Sequence, residues 1–215
     1  MKKTIPSYSA EEEHLNAWTH GIAAFAAIIA SYFLITQAYS ISTQAVIATS
    51  AYSFSLVLLF TASTLYHLSH TEKQRLWLKK LDHIAIYYLI AGTYTPFLAL
   101  FIPTHEAKVL LIALWAIALL GTLFKLIFVH RFQALSLIAY LLMGWLAILV
   151  IDDMRTYLSP VALKLLVLGG ILYSVGTFFY AAKKYKYTHA IWHIFVLLGA
   201  ASHFFAVWIM LKPTL

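Results

Sequence analysis

"THAIWHIFVLLGAASHFFAVWIM", residues 188–210, carries two messages at once. Its length and apolar content suit an α-helix crossing a bilayer, which needs about 20 such residues. Yet it holds His189, His193 and His203, and ionisable groups are costly in lipid and usually mark function there. Outward from it the apolar pattern recurs. "VLLIALWAIALLGTLF", residues 109–124, does not alternate as the strands of a transmembrane β-barrel must. The 215-residue chain is 62% hydrophobic and 11% charged, where a soluble domain has about a quarter of its residues charged. A water-soluble fold could not cover that much apolar surface. The fold class is therefore an all-α membrane protein.

Seven spans are predicted, near 17–38, 46–68, 82–102, 107–129, 134–151, 161–181 and 190–211. They make a seven-transmembrane helix bundle in one domain over 1–215, with 1–16 as a short cytoplasmic N-terminal segment. The basic start is followed by three glutamates and no apolar stretch, so it reads as retained rather than as a cleaved signal peptide. "SHTEKQRLWLKK" (69–80) and "AKKYKYTH" (182–189) read as short polar connections. Pro96, in "AGTYTPF" (91–97), predicts a packing kink in the third span, with Thr93 and Thr95 placed to re-satisfy the freed backbone groups.

The +7 net charge could suggest nucleic acid, but the basic residues flank the spans, as topology signals do. No nucleic-acid partner is predicted. With the N-terminus inside, the inward set is Lys2, Lys3, Lys73, Arg75, Lys79, Lys80, Lys125, Arg131, Lys183, Lys184 and Lys186. The outward set is only Lys108, Arg155, Lys164 and Lys212, so the C-terminus is expected outside. The chain has no cysteine, which excludes disulfides and thiolate metal ligands.

That topology places the second span's end, "STLYHLSH", the third span's start, "LDHIAIYY", and the seventh span's start, "THAIWH", at one depth on the cytoplasmic side. Ser63 and His67 are one helical turn apart on one face, and so are His189 and His193. Two imidazoles at i,i+4 can share a metal ion. A third from a neighbouring helix gives three ligands and leaves a position for water, the pattern of a catalytic zinc site. Asp82 is the one carboxylate placed inside a predicted span, where it could take a proton from that water. Ser63 could hydrogen-bond a substrate oxygen. Packing or interfacial histidines remain the alternative on pattern alone, and the convergence of three helices strengthens the metal reading without displacing it. His203 lies about 15 Å deeper along its helix, as a satisfied polar group or a deeper relay. Glu13, Asn16 and His20 either cap the cytoplasmic mouth of the site or begin a solvated helix. His83 points away from the site, and His70, His105 and His130 read as interfacial loop residues.

The motifs "EEHLNAWTHG" (12–21), "STLYH" (63–67), "LDHIAIYYLIAGTYTPF" (81–97), "FKLIFVHRFQALSLIAYLLMGW" (124–145) and "HAIWH" (189–193) make the sequence similar to the hemolysin III family. This is the bacterial branch of the progestin and adipoQ receptor superfamily, and the likeness covers nearly the whole chain. The resemblance implies seven helices with the N-terminus inside and a zinc ion near the cytoplasmic side. It implies His67, His189 and His193 as metal ligands and Ser63 as the serine one turn before the first. Asp82 is the implied aspartate that contacts the metal through water. The superfamily is proposed to hold metal-dependent membrane hydrolases, one branch being associated with ceramide hydrolysis, and bacterial relatives are linked to membrane lipid homeostasis.

The expectation is a zinc-dependent hydrolase of lipid amide or acyl bonds, resident in the bacterial inner membrane, with a membrane lipid as substrate or ligand. The alternative is a non-enzymatic membrane sensor with structural zinc. A pore-forming cytolysin fits less well. Seven hydrophobic spans leave no soluble state before insertion, and no rings of charge line a path.

Overall fold

Serine and threonine caps set most of the helix starts. The Ser9 hydroxyl accepts from the Glu12 N–H, and the Glu12 carboxylate accepts from the Ser9 N–H at 3.1 Å, a reciprocal capping box. Helix α1 (Ala10–Tyr39) therefore begins at Ala10 rather than at 17, and residues 10–16 are helical. The Ser42 hydroxyl caps α2 (Thr43–His67) by accepting from the Ala45 N–H. Thr71 accepts from the Gln74 N–H and starts α3 (Glu72–Pro96), so most of the stretch read as a polar connection, 69–80, is helix. Thr104 caps α4 (His105–Phe128), which makes His105 the first residue of a helix rather than a loop residue. Then follow α5 (Gln133–Gly144), α6 (Ile151–Tyr157), α7 (Pro160–Ala181, capped by Ser159) and α8 (Thr188–Leu211).

This computed structural model describes residues 8–129, 131–182 and 184–212. The expectations placed on Lys2, Lys3, His130 and Lys183 lie outside the described residues. Among those described, seven helical segments are long and apolar enough to cross a membrane, with α5 and α6 forming one span between them. Successive helices pack as neighbours from α1 to α4, α7 packs on α8, and α8 closes back on α1. Outward-facing Phe25, Ile112, Leu149 and Phe178 stay exposed, as suits a surface solvated by lipid rather than water.

Two spans are irregular. Pro96 ends the α-helical part of α3, which continues as a π-helical turn over Phe97–Phe101, with the Ile102 N–H donating to the Phe97 carbonyl at 3.2 Å. Thr93 and Thr95 do not serve the backbone group that Pro96 frees, which is the Gly92 carbonyl. Their hydroxyls donate to Leu89 at 2.7 Å and Ala91 at 2.8 Å, each to the carbonyl one turn before its own residue. The fifth span, expected as one helix, breaks after Gly144 and passes through a 3₁₀ turn (Leu146–Val150) into α6. The Tyr94 hydroxyl holds the break. It donates to the Gly144 carbonyl at 2.6 Å and accepts from the Ala147 N–H at 2.8 Å. Irregular backbone at membrane depth is tolerated where protein re-satisfies it in this way.

Glycines bring α7 and α8 together. A Cβ on Gly176 would lie 2.7 Å from that of Phe195, and one on Gly169 would lie 2.2 Å from His203 Nε2. Small residues at such contacts are how membrane helices approach closely. Gly169→Val is expected to dislodge His203 from the Leu166 carbonyl, 3.1 Å away. Overpacking of this kind costs about 1–3 kcal/mol, to be read as a lowered melting temperature in detergent.

Candidate metal centre

Three helix ends meet at one end of the bundle. The last turn of α2 supplies His67, and the first two turns of α8 supply His189 and His193. Their ring centroids are 5.1 Å apart for His67 and His189, 5.2 Å for His67 and His193, and 4.5 Å for His189 and His193. One nitrogen from each ring falls within 4.8 Å of the others, a group that could hold a metal ion. The i,i+4 register of α8, with α8 and α2 both packed on α1, brings together the three residues singled out in the sequence.

The third helix is α1, with a larger part than sequence spacing suggested. His67 Nδ1 lies 2.6 Å from Glu13 Oε2. An ionised carboxylate only accepts, so Nδ1 carries the proton and Nε2 keeps its lone pair. The other Glu13 oxygen accepts from Arg75 of α3. His193 Nδ1 lies 3.1 Å from the Asn16 carbonyl and 3.1 Å from Thr19 Oγ1. The Thr19 hydroxyl already donates to the Leu15 and Asn16 carbonyls, so it accepts from His193, and Nε2 is again the free lone pair. His20 is no solvated helix start. It is 3% exposed and stacks on His193 with centroids 3.6 Å apart. Glu13 is thus a second carboxylate, besides Asp82, close to the histidines.

Fit to a metal can be judged from the donors themselves. His67 Nε2 is buried without a hydrogen-bond partner, and so are both ring nitrogens of His20 and both side-chain polar atoms of Asn16. Buried polar atoms are rarely left so. The outer nitrogens of His67 and His193 are already committed, so a cation among the three imidazoles would satisfy their inner ones, and a trihistidine set suits zinc.

Asp82 and Ser63 line a cavity beside the histidines. The Ser63 hydroxyl faces the Asp82 carboxylate. Asp82 Oδ2 is 3.6 Å from His83 Nδ1, but that nitrogen is 2.8 Å from the Lys79 carbonyl, and His83 stays out of the histidine group. The cavity, of about 160 Å³, runs between α3, α5, α7 and α8 from His189 and His193 past Leu89 and Val196 to Trp145, Tyr173 and His203. Tyr8 also lines it, stacked on His189 with ring centroids 5.0 Å apart. Burial, and next the Tyr66 phenol, hold the Tyr8 hydroxyl above its ordinary range, so it stays neutral.

The sequence pointed to Glu13, Asn16 and His20 but not to the contact of Glu13 with His67, nor to Tyr8, Thr19 or Arg75. One signal was available. "SAEE" (9–12) is a capping box, which starts α1 early enough to carry Glu13 to the end of α2.

Fold and site together define a multi-pass helical membrane protein with a trihistidine group able to hold a metal. The profile of the haemolysin-III related family matches residues 8–204. The chain is 44% identical over 214 residues to Hemolysin-3 of Bacillus cereus, covering 99% of this chain and 98% of that protein. It is 45% identical over 201 residues to the Hemolysin-3 homolog of Bacillus subtilis (strain 168), covering 93% and 94%. It is 30% identical over 203 residues to the human monocyte to macrophage differentiation factor, covering 92% and 83%. The chain belongs to the haemolysin-III related family.

Proposed function

We propose that this protein is a zinc-dependent hydrolase of a lipid amide or related acyl bond, acting at the cytoplasmic side of the cell membrane as a single seven-helix domain. The observation that carries the reading is the group of His67, His189 and His193 beside a largely apolar cavity that His189, His193, Asp82 and Ser63 line. Such a cavity suits an acyl chain, with the scissile bond at the histidines.

His67, His189 and His193 would hold the zinc ion, which would supply Lewis acidity and make a water there easier to deprotonate. Asp82 accepts the proton of the attacking water at a carboxylate oxygen and returns it to the leaving group. Ser63 orients that carboxylate, since its hydroxyl faces Asp82. Donation to the developing oxyanion requires the hydroxyl to turn away from Asp82. Leu89 and Val196 keep bulk water from the chain-binding part of the cavity.

A second reading, a sensor with structural zinc, has its own support: the ion would tie the end of α2 to the start of α8. Zinc removal would then lower the melting temperature while no lipid is consumed.

The test of the metal is its content in protein extracted in mild detergent without chelator. The wild type is expected to hold about one zinc per chain. His67→Ala and the His189→Ala/His193→Ala double variant are expected to hold almost none. A folded, zinc-loaded wild type that retains no metal would end both readings.

A further inference from the structure

We infer that the N-terminal turns of α1 are the outer shell of the metal centre, and that Glu13 is the positioning residue that presents His67 to the ion. This rests on the proposed metal site and extends it to a helix that supplies none of the three ligands. Four contacts carry it. The Glu13 carboxylate accepts from His67 Nδ1 and fixes the tautomer with Nε2 inward. The Asn16 carbonyl and Thr19 hydroxyl do the same for His193. One turn earlier, Glu12 accepts from the Tyr187 N–H at 3.0 Å. Tyr187 has a φ of 64°, a conformation that costs a bulky residue energy unless its surroundings hold it. It is the residue directly before α8, so Glu12 fixes where the helix carrying His189 and His193 begins.

Arg75 gives Glu13 a second anchor on α3. The carboxylate is held from one side by a guanidinium and spends its other oxygen on the imidazole. A carboxylate behind a ligating histidine raises the ligand's basicity and locks its ring, and losing such a partner typically costs 10- to 100-fold in metal affinity. By this inference His67 is a competent ligand only when α1 is docked.

The experiment uses the full-length protein in detergent, with zinc titrated against a competing chelator and Co²⁺ as a spectroscopic probe. Glu13→Gln is expected to bind zinc about 10- to 100-fold more weakly than the wild type. At full cobalt loading its visible absorption band should be shifted, which loss of packing elsewhere would not produce. Glu13→Asp retracts the carboxylate but keeps its charge beside Arg75, and is expected to weaken zinc in the same direction. It also serves should Glu13→Gln fail to fold. Arg75→Met leaves Glu13 on His67 and is expected to stay within a few-fold of the wild type. Wild-type affinity and an unshifted cobalt band in both Glu13 variants would overturn the inference while leaving the metal site standing. No metal uptake by the wild type would remove the site and the inference together.

Discussion

Asp82→Asn is expected to keep its zinc and lose turnover by about 10²- to 10⁴-fold, the usual contribution of a positioned general base. The substitution preserves shape and the ability to accept from Ser63, but an amide cannot take a proton at neutral pH. Asp82 lies outside the trihistidine group, so metal content should match the wild type. The two measurements together separate a proton-transfer role from a structural one. The assay incubates the purified protein with membrane lipid extract and follows released fatty acid by mass spectrometry. Loss of zinc along with turnover would make Asp82 a metal-site residue. Undiminished turnover would remove its assigned role.

The largest stability effect is expected far from the histidines. Tyr94→Phe removes the one hydroxyl that serves both the Gly144 carbonyl and the Ala147 N–H across the broken fifth span. Each backbone group left unsatisfied costs about 1–3 kcal/mol, and no bulk water reaches the bilayer core to replace the lost partner. A combined loss of about 2–6 kcal/mol is expected, read as a lower midpoint of unfolding in detergent titration. Metal content should be unchanged, because Tyr94 does not touch the histidine group. An unaltered midpoint would show that the break is held by packing instead, for example by Trp145, whose indole donates to Ser174 at 3.0 Å.

The family match and the metal group bear differently on the site. Family membership and the seven-span fold follow from similarity and helix composition over nearly the whole chain. The trihistidine group follows from geometry.

By itself the sequence determined the membrane class, the seven spans and the i,i+4 pairing of His189 with His193. Those are local properties: apolar length fixes what can cross a bilayer, and helical register fixes which side chains share a face. The early starts of α1 and α3 were equally local, written in the capping patterns "SAEE" and "TEKQ", and were hidden by the charged residues that follow each cap. Only the tertiary structure decided that Glu13 reaches His67, that His20 stacks on His193, and that Tyr94 stitches a span 50 residues away. Those contacts join residues distant in sequence. They depend on how helices rotate and tilt against one another, and that is set by the packing of whole faces rather than by any one segment.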